Sequence, residues 1–224
     1  MERREFIRIP ARALGGLLIY TLAREPVVLP AQTHEGETVE LELRHFTAAQ
    51  ARIVQAACAR IFPSDESGPG ATEAGVVVYI DRQLAGPYGR DAWRYTKGPW
   101  KTDGWAGHGY QGRETPREIY DAGLARLGDD YAALSADQQD QKLIEIEDSL
   151  FFTLLRGHTV EGMFCDPLHG GNADLIGWQL LGFPGPVMSY KDQIENHDGP
   201  YRPEPQSLEQ IVGHPVKGLE DEDA

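Results

Sequence analysis

The densest run of reactive side chains is near the middle of the C-terminal half. His158, Glu161, Cys165, Asp166, His169 and Asp174 fall within seventeen positions, just after Arg156. His158 and Glu161 are three residues apart, so on a helix they share a face. Such a face can begin a metal site, with His169 or Asp174 completing it. An exported metalloenzyme built on His158, Glu161 and His169 is therefore one reading. The run lacks H-E-x-x-H and every other well-established ligand spacing. A neutral His held by a carboxylate, pinning a helix end against the glycine-rich turn that follows, uses the same residues and is preferred.

The two cysteines, Cys58 and Cys165, are too few for a disulfide framework or a four-cysteine metal site. No C-x-x-C-H is present, so no c-type haem is expected on this chain. Cys58 falls on an apolar helix face and is expected to be buried. Cys165 stands at a helix end before Asp166-Pro167 and is expected near the surface. In an oxidising compartment it would pair with Cys58, stay buried and inert, or bond to another chain. Burial of Cys58 favours the last two, an inert buried thiol or an inter-chain disulfide through Cys165.

Two other motifs carry little. Residues 107–112 match G-x-G-x-x-G by letter. The phosphate chemistry of that motif needs a buried strand before it and a helix opening within it, and the residues preceding it do not form a strand pattern. No G-x-S-x-G elbow or convincing catalytic triad is present. No catalytic residue and no cofactor-binding residue is assigned to this chain.

The elements that must position these groups are mainly helical. Thr47 is placed to cap a helix over 48–62, with Ile53, Ala57 and Ile61 on one stripe and Val54, Cys58 and Phe62 on the next. A second helix is expected over 73–84, through Val77, Ile80 and Leu84. Thr115-Pro116 opens a third, with Ile119, Leu124 and Leu127 inward. Ser135 and Gln138 form a capping box ahead of Leu143 and Ile144. A further helix is expected over 149–164, with Leu150, Leu154 and Leu155 inward. The alternation Val39-Glu40-Leu41-Glu42-Leu43 suits one short β element near residues 38–44. Between these helices, residues 86–113 are rich in glycine and hold Trp93, Trp100, Trp105 and Tyr110. A long loop with so many rings packs on its own domain or lies against a partner, and these four are candidate interface aromatics. A free-standing carbohydrate-binding domain using this loop is a further alternative.

Composition bounds the function classes. The chain has 224 residues, 41% hydrophobic and 25% charged, with 25 Gly and 15 Pro. It fits one helical domain with long loops. The formal charge is -14, and the first 31 residues are net positive, so the remainder is more acidic still. Such a body is repelled by phosphate backbones and anionic membranes, and nucleic acid is not expected as a partner. Near the start, Arg3, Arg4 and Phe6 precede an apolar run over 13–23. Eleven residues span about 17 Å as a helix, short of the roughly 30 Å of a bilayer core. The paired arginines resemble a twin-arginine export signal, so residues 1–31 are expected to be a signal peptide directing the chain to the periplasm. Residues 32–196 would be the helical domain and 197–224 an extended acidic tail.

The later motif runs through Phe151-Phe152, Leu155-Arg156, His158-Thr159, Glu161-Gly162-Met163-Phe164, Asp166-Pro167, Gly170-Gly171-Asn172, Asp174, Gly177-Trp178 and Leu181-Gly182-Phe183-Pro184-Gly185. With Ile61-Phe62-Pro63, Glu73-Ala74-Gly75-Val76 and Tyr79-Ile80-Asp81, it resembles the gluconate 2-dehydrogenase subunit 3 family over about residues 47–190. The resemblance implies a non-catalytic small subunit of a membrane-associated sugar or sugar-acid dehydrogenase. In such complexes a glucose–methanol–choline-type flavoprotein holds FAD, and a multihaem cytochrome c often relays electrons. The small subunit stabilises the flavoprotein and can assist its twin-arginine export. Membrane association is then expected only through the complex. On this resemblance Arg156, His158, Glu161, Asp166, Pro167, Gly170, Gly171, Asn172, Asp174 and Trp178 form a structural or interface motif.

Overall fold

Thr47 starts the first helix as its chemistry demands. Its side chain accepts from the Gln50 N–H while the Gln50 side chain accepts from the Thr47 N–H, a reciprocal capping box. The helix, α1 (Ala48–Ile61), turns Ala51, Ile53, Val54, Ala57 and Cys58 inward. The computed structural model describes residues 27–28, 40–41, 43–94, 98–100, 103, 107, 109–191, 194, 199 and 203–216. Arg3, Arg4 and Phe6 of the expected export signal lie outside the described residues, as do Trp105 and the last eight residues.

Before α1, β1 (Val27–Val28) pairs antiparallel with β2 (Glu40–Leu41), Val27 opposite Leu41 and Val28 opposite Glu40. The second strand falls where the alternation places it. The next helix begins later than expected: residues 71–75 are turn, and α2 is Val76–Ala85. Gly75 takes a left-handed conformation at φ 69°, which resets the chain direction, and Glu73 is spent on the Gly70 N–H at 3.0 Å. From Val76 onward α2 is buried almost all round, including the side chain of Asp81.

Thr115 caps α3 (Pro116–Leu127) with Glu118 at the third position, and Pro116 occupies the first turn. Its inward residues Ile119, Leu124 and Leu127 are those the periodicity marks, joined by Tyr120. Ser135 and Gln138 cap α4 (Ala136–Ile144) in the same reciprocal way. Ser149 caps α5 (Leu150–Phe164). Here the buried face differs from the expected one. Phe151, Leu155, His158, Thr159, Gly162 and Met163 point inward, while Leu150 and Leu154 are half-buried. Two glycines explain the rotation. At Gly123 a Cβ would fall 2.0 Å from the Phe151 ring, and at Gly162 it would meet Tyr79 and Val76 at about 3.1 Å. Each bare backbone thus seats α5 on a particular neighbour.

The core is formed where α1, α2 and α5 pack against one another, with α3 packed against α5 and α1. Burying each Val, Ile, Leu or Phe there contributes about 1.5–3 kcal/mol. Beyond α5 the chain runs through two single-turn 3-10 segments, Pro167–His169 and Ala173–Leu175, into α6 (Ile176–Leu181). A last helix, α7 (Leu208–Val212), carries its own capping box through Ser207 and Gln210. Seven α-helices and one two-stranded ribbon among the described residues make this a mainly α domain. No helix among them is long and apolar enough to cross a membrane.

Candidate functional site

His158 sits in the middle of α5 and is 4% exposed. Two phenols hold its ring. Tyr120 on α3 is 2.8 Å from Nδ1, and Tyr88, in the 3-10 turn after α2, is 2.9 Å from Nε2. The Tyr120 ring also stacks on the imidazole, and the Tyr88 ring meets it edge-on. Burial pushes the His158 imidazole below its ordinary value and outweighs the pull of Glu161. The ring is therefore neutral near pH 7: one nitrogen accepts from a phenol and the other donates to the second phenolic oxygen. Burial raises both phenols as well, Tyr88 to about 12 and Tyr120 further. One turn along α5, Glu161 accepts from the Tyr79 hydroxyl at 2.9 Å.

The expected pairing of His158 with a carboxylate is replaced by this tyrosine–histidine–tyrosine contact. Both ring nitrogens are engaged, which removes His158 from metal ligation in this arrangement. Among the described residues, no group of three His, Cys, Asp or Glu side chains could hold a metal ion.

The glycine-rich turn completes the unit. Asn172 is fully buried with φ 48°, and it uses three polar groups on the backbone around it. Its N–H donates to the Gly162 carbonyl, its Nδ2 donates to the Cys165 carbonyl, and its Oδ1 accepts from the Gly177 N–H, all at 2.8 Å. Asp174 and Leu175 also take left-handed backbone conformations, so the turn stores strain that the surrounding bonds must hold. A Cβ at Gly171 would lie 2.2 Å from the Gly162 carbonyl oxygen. Gly170, at φ 96°, ends the 3-10 turn that begins with Pro167. Trp178 is buried and donates from Nε1 to the Phe164 carbonyl at 2.8 Å. Asp166 accepts from the Leu168 N–H at 3.1 Å and, across the fold, from the Leu208 N–H at 2.8 Å. The turn from Asp166 to Trp178 thus locks onto the end of α5, while Arg156 and Glu161 lie exposed on that helix.

The remaining candidates separate. Trp93 is 68% exposed and Trp100 is 38% exposed. Tyr110 is half-buried: its hydroxyl donates to Glu114, and Arg94 lies over its ring. Cys58 is buried, takes a hydrogen bond from Thr159 Oγ1 at 3.3 Å, and is pushed up to about 12. Cys165 is half-buried, with Sγ 3.7 Å from the Gly162 carbonyl, and the two thiols are not bonded to each other. At the glycine-rich letters 107–112, α3 opens only at Pro116, and the Gly112 carbonyl is taken by Arg94. That geometry does not fit a dinucleotide pyrophosphate.

A cleft of about 540 Å³ opens along the motif. Its walls come from the C-terminal end of α2, the Tyr88 turn and the last turns of α5. Tyr79, Glu161, Cys165, Asp166 and His169 line it, with Trp93 and Val160. His169 and Glu161 therefore do share a surface, although His158 faces the core.

Residue-by-residue reading misses two groups. Tyr120 holds the buried imidazole from within an ordinary amphipathic helix. Asp81 collects the N–H groups of Arg44, His45 and Phe46 at 2.6, 3.0 and 2.7 Å. The available signal for Asp81 is a lone carboxylate in the apolar run Val76-Val77-Val78-Tyr79-Ile80.

The family model described as gluconate 2-dehydrogenase subunit 3 matches residues 48–185. No curated protein and no solved structure matches the chain.

Proposed function

The chain belongs to the gluconate 2-dehydrogenase subunit 3 family, and from that membership we propose that it is the non-catalytic small subunit of a periplasmic, flavin-dependent gluconate or sugar dehydrogenase. Its partner is a glucose–methanol–choline-type flavoprotein that holds FAD and performs the oxidation. A multihaem cytochrome c subunit passes the electrons on, and the complex meets the membrane through that neighbour. The small subunit stabilises the flavoprotein and assists its export through the twin-arginine route.

One observation carries this reading: the motif spends its reactive groups on its own backbone and rings. His158, Asn172, Asp166 and Trp178 are each committed to internal hydrogen bonds. Catalysis needs a nucleophile, an acid or a base aimed at a substrate. A scaffold needs a rigid shape, which these bonds supply.

Export is tested by changing Arg3 and Arg4 to Lys together and fractionating cells that make both subunits. Both subunits should stay in the cytoplasm, and normal periplasmic levels of the pair would refute the carrier role. Catalysis is tested by assaying the two subunits separately and together. Turnover of a sugar by this chain alone would end the proposal. Cys165 is the thiol proposed to bond to another chain. Non-reducing electrophoresis of the complex should show a linked band that Cys165→Ser abolishes and Cys58→Ala keeps.

A further inference from the structure

The cleft along α5 combines features that a purely structural surface does not need. Trp93 stands on its rim 68% exposed, and Val160 is 45% exposed beside it. Leaving an indole and a branched aliphatic side chain in water is unfavourable, and buried aromatic anchors dominate protein interfaces. Yet the wall is not simply apolar. Glu161 contributes a carboxylate that gives Oε2 to the Tyr79 hydroxyl, and its Oε1 takes no hydrogen bond among the described residues. An apolar occupant would strip water from that carboxylate and leave the charge uncompensated. A cationic occupant compensates that charge.

Resting on the accessory-subunit reading, we propose that this cleft is the socket for an arginine side chain of the flavoprotein partner. The chemistry of the walls selects arginine. Its aliphatic stem lies on Val160 and Phe164, and its planar guanidinium stacks against Trp93 and Tyr88 while donating to Glu161. A lysine offers a compact charge without the stacking plane. The charge of the whole molecule acts in the same sense. At -14 overall, it draws a basic partner toward the molecule.

The test titrates the purified flavoprotein subunit into the full-length small subunit by calorimetry, at low and at moderate salt. Trp93→Ala and Glu161→Gln should each weaken binding by at least about tenfold, and Glu161→Gln should flatten the salt dependence. Gln keeps an acceptor for Tyr79, and Trp93 is exposed, so thermal midpoints of both variants should stay near the wild-type value. Ile144→Ser, an exposed position outside the cleft, should leave the affinity unchanged. Wild-type binding with undiminished affinity in both cleft variants overturns the socket and leaves the accessory role standing. A loss for Trp93→Ala with no effect of Glu161→Gln or of salt means an aromatic anchor, and overturns the arginine. Failure of the wild-type chain to bind any flavoprotein overturns both readings.

Discussion

At the scale of single residues, two buried polar groups set the conditions for stability. Asp81 receives three backbone N–H groups from the segment leading into α1. Burial pushes its carboxyl above the usual carboxylate range, and the three donors pull it back. In Asp81→Asn the amide oxygen can still accept from His45 and Phe46, but the N–H₂ faces the Arg44 N–H, so the variant should lose about 1–3 kcal/mol in urea unfolding. A midpoint within error of wild type would contradict this. His158 gives a pH dependence with a definite sign. Its folded value is lowered from 6.5, so below that pH the unfolded chain binds a proton that the folded chain resists. This contribution makes stability rise with pH below 6.5 and level off above it, by at most about 1.4 kcal/mol per pH unit. Between about pH 7.5 and 5.5, wild type should lose more stability than His158→Gln. Equal losses would remove His158 as the source.

At the scale of elements, close approach decides how helices meet. A Cβ at Gly177 would lie 1.9 Å from the Met163 carbonyl oxygen, where α6 crosses the end of α5. Gly177→Ala must push the two helices apart. It should cost at least about 2 kcal/mol and lower the melting temperature by several degrees. Unchanged melting would mean that α6 does not dock there. The helices themselves were largely legible from the sequence, because Thr47, Thr115 and Ser135 announce their caps within three residues. The late start of α2 was not, since it depends on the backbone state of Gly75. The face of α5 was not, since Gly123 and Gly162 act across the fold. The site divides in the same way. The turn from Asp166 to Trp178 could be recognised as one unit from its letters. The ring contact could not, because Tyr88 and Tyr120 reach His158 from positions 70 and 38 residues away.

At the scale of the whole molecule, the C-terminal segment belongs to the body rather than extending from it over 203–216. Gln206 donates to the Pro184 carbonyl, Ser207 is buried, and the Leu208 N–H meets Asp166. The same carboxylate supports the 3-10 turn after α5, so the end of the chain and the motif share one anchor. Truncation after residue 202 should destabilise the domain by about 1–3 kcal/mol. Asp166→Ala should then cost less in the truncated chain than in the intact one. Full additivity of the two changes would show that the anchor is not shared.

The Cys58 sulfhydryl has a practical consequence. Its proton is held tightly and its surroundings exclude solvent, so electrophilic dyes cannot reach it while the helices stay together. Its labelling rate therefore becomes a built-in clock for spontaneous opening of the interior, readable by mass spectrometry without any engineered probe. Mixing in the flavoprotein proposed above as its partner should slow that clock, by as much as complex formation holds the interior closed.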